Sequence, residues 1–124
     1  MRLAEGFQIE LVASEPLVID PVHLNWDMQG RLWVVEMRDY PLGIDGKGKP
    51  GGRVTILHDD NGDGRMDRVV PFLTDLAFPS SVLPFGKGAL IAAAPELFYA
   101  EDTDGDGRAD VRRVLFTGFT EGNQ

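Results

Sequence analysis

"HDDNGDGRMD", His58–Asp67, returns forty-three positions later as "EDTDGDGRAD", Glu101–Asp110. The match keeps acidic or amide side chains at the same places, Asp59, Asn61, Asp63 and Asp67 against Asp102, Asp104, Asp106 and Asp110. Working outward, the segments that follow also overlay, "VVPFLTD" on "RVLFTGF". Backward, Pro21–Gly30 overlays Pro79–Gly88 and "RLWVVEM" overlays "ALIAAAP" at an offset of 58, against 43 at the loops. The first copy therefore carries 15 extra residues, "DYPLGIDGKGKPGGR" at 39–53, whose Gly and Pro content reads as a loop.

Between dense turn residues, 15 Gly and 8 Pro, lie short β-branched, aromatic and aliphatic runs. "FQIELVA", "RLWVVEM", "GRVTILH", "DRVVPFL", "ALIAAA", "LFYAE" and "RRVLFTG" have strand length and content, and no stretch sustains helical periodicity. Each copy reads as four antiparallel strands, and a period near 40–45 residues with four strands per unit is the pattern of a propeller blade. The expected fold is all-β: a β-propeller fragment of about two four-stranded antiparallel blades plus an N-terminal strand. Residues 1–20 form that strand and a linker, 21–78 the first blade with its insert, 79–118 the second, and 119–124 the start of a further one. The runs in "LWVVEM" and "ALIAAA" are apolar on both faces, as stacking on both sides requires. Two blades do not close a ring, so the chain reads as the N-terminal piece of a longer protein, or else as an open sheet pair with edges to manage.

The formal charge is −8, with 20 acidic and 12 basic residues, which argues against nucleic acid and against an anionic membrane surface as partners. Eight of the acidic residues lie within Asp59–Asp67 and Asp102–Asp110, so the excess is local. With no cysteine, disulfides, thiolate metal sites, covalent haem attachment and cysteine nucleophiles are absent from these residues. "MRLAEGFQIE" shows no signal-peptide apolar core. The longest apolar run, "GALIAAAP", is far short of a bilayer span, so no direct membrane insertion is expected.

The repeated loops suit calcium, which takes six to eight oxygen ligands in flexible geometry. Positions 1, 3, 5 and 9 are Asp59, Asn61, Asp63 and Asp67, then Asp102, Asp104, Asp106 and Asp110. Glycines at positions 4 and 6 permit the tight backbone, and position 7, Arg65 or Arg108, would offer its carbonyl. Position 12 is Val70 or Arg113 rather than Glu, and strands flank the loop, so this is not an EF-hand. The pattern resembles the calcium loops set in β-hairpins of integrin-type propellers. The competing reading is a plain Asp/Asn/Gly turn. Crowding four such side chains into nine residues costs repulsion that a cation offsets, and the matched second copy favours a structural clip.

Arg38, Asp39 and Tyr40 end a strand and open the insert. They read either as a ligand site, with Arg as fork donor, Asp accepting hydroxyls and Tyr stacking, or as an ion pair with a packed aromatic. His23 and His58 lack partners at catalytic spacing and read as structural. Trp26 and Trp33 read as blade core. "GKGKPGG" opens no helix, which argues against a phosphate loop.

"ELVASEPLVIDPVHLNWDMQGRLWVVEMRDYP", "GGRVTILHDDNGDGRMDRVVPFLTDLAFPSSV" and "LFYAEDTDGDGRADVRRVLFTGF" together resemble the N-terminal propeller of the haem-binding, membrane-bound dehydrogenase family of PVC-superfamily bacteria. The resemblance covers essentially the whole chain. That propeller is similar in fold to the quinoprotein sugar dehydrogenases and is commonly followed by helical-repeat and c-type cytochrome domains. The resemblance implies a periplasmic or cell-surface location and oxidation of sugars or related alcohols. It also implies a quinone cofactor and c-type haem in the longer protein, with the remaining blades and downstream domains as partners. No CxxCH occurs here, so haem is not assigned to these residues. The alternative is a non-catalytic, calcium-stiffened propeller that binds carbohydrate or protein.

Overall fold

A computed structural model describes residues 3–118. It is all β among those residues: β1 Pro21–Trp26, β2 Leu32–Glu36, β3 Gly52–His58, β4 Arg68–Leu76, β5 Pro79–Phe85, β6 Gly88–Ala93, β7 Glu96–Glu101 and β8 Val111–Phe116. β1 to β4 form one sheet in chain order and β5 to β8 a second, every neighbouring pair antiparallel. Two such meanders are what the repeat implies, and they are consistent with a propeller fragment whose ring these residues leave open. Among the described residues no helix is long and apolar enough to cross a membrane. Residues 119–124, expected to begin a further unit, lie outside the described residues.

The two sheets repeat even their irregularities. The β1–β2 ladder slips between Pro21 and His23, and β5–β6 slips between Pro79 and Ser81. The β3–β4 ladder slips between Val54 and Thr55, and β7–β8 slips between Leu97 and Phe98. Each slip is a bulge, a local bend that sharpens strand twist. The observed register departs from the sequence overlay in two places: Val69–Asp75 corresponds to Arg112–Gly118, one residue earlier than the overlay of "VVPFLTD" on "RVLFTGF", and β2 is shifted against β6. Because Asp27–Arg31 is one residue longer than Phe85–Gly88, Trp33 corresponds to Leu90 and Leu32 to Ala89. A one-residue slip exchanges the two faces of a strand, so this correction decides which side chains meet.

The main core lies between the sheets. Trp33, Val35, Val54, Ile56, Phe72 and Leu76 of the first pack on Val82, Ala89, Ile91, Ala93, Phe98 and Ala100 of the second. Trp33 meets Phe72 edge-on, ring centroids 4.7 Å apart. β2 is buried on both faces, as its unbroken apolar run implies. Its far face, Leu32 and Val34, joins Leu57 and Met66 beneath Val12, Ala13, Leu17 and Val18 of the N-terminal segment.

That segment corrects one expectation. Phe7–Ala13 belongs to no strand. Its C-terminal part lies over the face of the first sheet, where no ladder partner runs beside it, and the Val12 carbonyl accepts one hydrogen bond, from the Met66 N–H at 2.8 Å. Farther along, the buried Glu36 carboxylate accepts the Ile19 N–H at 2.7 Å and pairs with Arg53. The segment is thus a strap, held by apolar contact, by one buried carboxylate and by backbone bonds from the Met66 and Met37 N–H groups to the Val12 and Asp20 carbonyls.

Candidate metal centres in two matched loops

Each Asp/Gly loop joins the third and fourth strands of its sheet. It is closed at its base by the same backbone bond: the Asp67 N–H to the His58 carbonyl at 2.8 Å, and the Asp110 N–H to the Glu101 carbonyl at 2.9 Å. Gly62, Gly64, Gly105 and Gly107 all have φ between +75° and +90°, a conformation L side chains rarely adopt. This is why the pattern demands glycine at positions 4 and 6.

The carboxylates curl inward because the loop's own amides hold them. Asp59 accepts the N–H groups of Gly62 and Gly64, each at 2.8 Å, and Asp102 accepts those of Gly105 and Gly107, each at 2.8 Å. Asp63 accepts from Arg65 at 2.9 Å and Asp106 from Arg108 at 2.8 Å. Asn61 and Asp104, at position 3, accept from Asp63 and Asp106, each at 3.1 Å. One carboxylate oxygen from each of Asp59, Asp63 and Asp67 lies within 4.8 Å of the others, and the same holds for Asp102, Asp104 and Asp106.

The loops differ at the ninth position. Asp67 joins the first cluster while accepting the Asp60 N–H at 2.9 Å. Asp110 is held by the Thr103 hydroxyl and N–H and stands outside the three-carboxylate set, where Asp104 takes the third place. In the second loop the Asp106 N–H draws the Asp104 carboxyl down, but contact with Asp102, desolvation and the Asp106 charge outweigh it and raise it above the usual range. Asp102 goes the other way: desolvation pushes it up, and the Gly107 and Gly105 amides bring it below its ordinary value. Neighbouring carboxyls driven apart in this way share too much negative charge for one place. An all-oxygen donor set with carboxylate crowding fits a hard divalent cation such as Ca²⁺. Arg65 and Arg108 would contribute only their carbonyls.

Arg38, Asp39 and Tyr40 do not converge. Asp39 is buried and its Oδ2 accepts the Phe78 N–H at 3.0 Å, tying the long loop to the link between sheets. Arg38 is exposed and makes no ion pair among the described residues, and Tyr40 is 72% exposed with Phe78 edge-on to it. The histidines serve structure. His23 Nδ1 accepts the Val82 N–H of the second sheet at 3.2 Å. Burial first, then the Arg68 and Arg31 charges, lower His58 and favour its neutral form. Trp33 is core as expected, but Trp26 is 49% exposed at the end of β1.

Sequence reasoning passed over Asp27, although "WDMQGRLW" carries an Asp-Gly turn signal. Asp27 Oδ1 accepts the Gln29 and Arg31 N–H groups at 3.0 and 2.9 Å, and Oδ2 accepts Arg31 Nε and Trp33 Nε1 at 2.6 and 2.9 Å. Burial pushes its carboxyl up, but the Trp33 and Arg31 hydrogen bonds overcome this and hold it below 3.8. Asp27→Asn turns an amide NH₂ toward donors and is expected to cost about 2 kcal/mol at pH 7. A carboxyl lowered by folding contributes stability above its ordinary value and loses it as pH falls through the folded value. The urea-unfolding gap between the two proteins should therefore narrow as pH drops below 3.8. A gap that stays constant from pH 7 to 2.5 would contradict the assignment.

The family model described as "Domain of unknown function (DUF7133)" matches residues 1–124. No curated protein and no solved structure matches the chain.

Proposed function

The chain belongs to the DUF7133 family along its whole length, and from that premise we propose that it forms two consecutive blades of an extracytoplasmic, dehydrogenase-like propeller. Each blade is clipped by a structural Ca²⁺, and the longer protein oxidises sugars or related alcohols. The observation that carries the metal part is the pair of matched loops, each gathering three carboxylates at the same point of a four-stranded sheet. Asp59, Asp63 and Asp67 with Asn61 would hold one ion, and Asp102, Asp104 and Asp106 with Asp110 nearby the other. The ion would offset carboxylate repulsion and stiffen the hairpin tip. Extracellular calcium modules bind at roughly 10⁻⁴–10⁻³ M, in keeping with an extracytoplasmic location.

The redox part rests on the resemblance to the PVC-superfamily dehydrogenases, which implies a quinone cofactor and c-type haem in the longer protein and assigns neither to residues of this chain. A second reading is a non-catalytic, calcium-stiffened propeller that binds carbohydrate or protein, which the matched acidic loops support equally.

Calcium titration calorimetry of the chain is expected to show two sites. Asp63→Ala should leave one, and the further change Asp106→Ala none. No heat of binding up to 10 mM calcium would end the metal reading. Purified longer protein that reduces an artificial electron acceptor with aldoses or alcohols supports the oxidoreductase. Sugar binding without reduction supports the second reading.

A further inference from the structure

The observed register fixes which residues share a face. Trp33, Val35, Val54, Ile56 and Phe72, which the first sheet turns to the second, correspond to Leu90, Ala92, Leu97, Tyr99 and Leu115. Conversely, Leu32, Val34 and Leu57 on the strap-covered face correspond to Ala89, Ile91 and Ala100, which the second sheet turns to the first. The sheets are therefore stacked with the same face forward, like successive members of a series, and not as a two-fold sandwich.

The loops repeat that relation. The Ala109 N–H of the second loop donates to the Phe72 carbonyl of β4 at 2.9 Å. A Cβ on Gly107 would come within 2.8 Å of Val70 Cγ1, so the loop presses on that strand. At the matching place in the first loop, the Met66 N–H donates to the Val12 carbonyl. The strap thus stands where the outer strand of a preceding sheet would stand. Among the described residues nothing covers the forward face of the second sheet, where Leu83 is 53%, Phe85 66% and Leu115 43% exposed. On it Arg113 takes the place of Val70, at the point where a following loop would press.

We propose that this face docks a further four-stranded antiparallel sheet in the same forward relation. The occupant turns small and branched side chains toward Leu90, Leu97 and Tyr99. The loop between its third and fourth strands is acidic, gives a backbone N–H to the Leu115 carbonyl and faces Arg113. Continuity with the interface already present between the two sheets and charge complementarity at Arg113 select this occupant. The inference deepens the reading of the chain as consecutive blades. It needs no metal, so a test run in EDTA separates its failure from failure of the calcium sites.

The test is a tandem chain in which a second copy of Leu76–Gly118 follows Gly118 in register. Amides of Leu97–Tyr99 and Val111–Phe116 in the first copy are expected to exchange with deuterium at least tenfold more slowly than in the parent chain. Tyr99→Glu in that copy should abolish the slowing, while the parent with the same change keeps a cooperative urea transition, having lost only the Phe85 carbonyl bond and edge contact. Parent-like exchange in the tandem chain, whether or not the added unit folds, overturns the proposal. So does a parent chain that sediments as a dimer and becomes a monomer on Tyr99→Glu, because a second copy would then be the occupant.

Discussion

Phe98→Ala is expected to remove about 3–5 kcal/mol of unfolding free energy, the usual range for deleting a fully buried aromatic ring. Phe98 is 0% exposed, paired with Ile91 and Val114 in its sheet and packed in the core between the sheets. The hole would be walled by two hydrogen-bonded sheets, which cannot close it without breaking ladders, so relaxation recovers little. The Arg112 guanidinium, 3.9 Å from the ring centroid, would also lose its aromatic partner. Urea unfolding should show a lower midpoint with an unchanged slope. Leu83→Ala, on the open face, should stay within about 0.5 kcal/mol of the parent. A loss below 1 kcal/mol for Phe98→Ala would mean that the sheets do not pack as described.

Calcium should move stability by a similar amount. At about 100 times the dissociation constant, a ligand that binds only the folded state adds about 2.7 kcal/mol, and at tenfold excess about half of that. Two such loops in 10 mM calcium would add about 3–5 kcal/mol in all, a rise of about 10 °C or more in melting temperature for a domain of this size. Asp63→Ala with Asp106→Ala should cancel the rise, since each variant removes one carboxylate from a three-oxygen cluster. Magnesium should do less, because it demands tighter octahedral geometry and sheds water reluctantly. Identical melting in calcium and in chelator would reject both loops as sites.

Much of this protein is legible in its sequence. The Asp-x-Asx-Gly-Asp-Gly spacing marks the loop, its glycines and its inward carboxylates, because a chain that turns that tightly needs residues tolerant of positive φ. The apolar runs of β2 and β6 mark strands with apolar residues on both faces, and β2 is buried on both while Leu90 and Ala92 of β6 are partly exposed. The recurrence of loop and runs together marks two equivalent four-stranded units. Other features were hidden. Asp39 reads from the sequence as one of three residues of a ligand site with Arg38 and Tyr40, yet its Oδ2 accepts a backbone amide thirty-nine residues away. Phe7–Ala13 has strand composition but finds no strand beside it.

The sequence by itself determined the unit, its strand order and its acidic hairpin tip, because these depend on residues close together in the chain. Only the tertiary structure decided which face of each sheet looks forward. Side chains on a strand alternate with a period of two, so a single extra residue in the Asp27–Arg31 turn exchanges which residues of β2 and β6 share a face, while β3 and β7 keep the offset of the loops. That choice is set by ladder pairing across the sheet, and it settles why the strap covers one face of the stack while the other stays open.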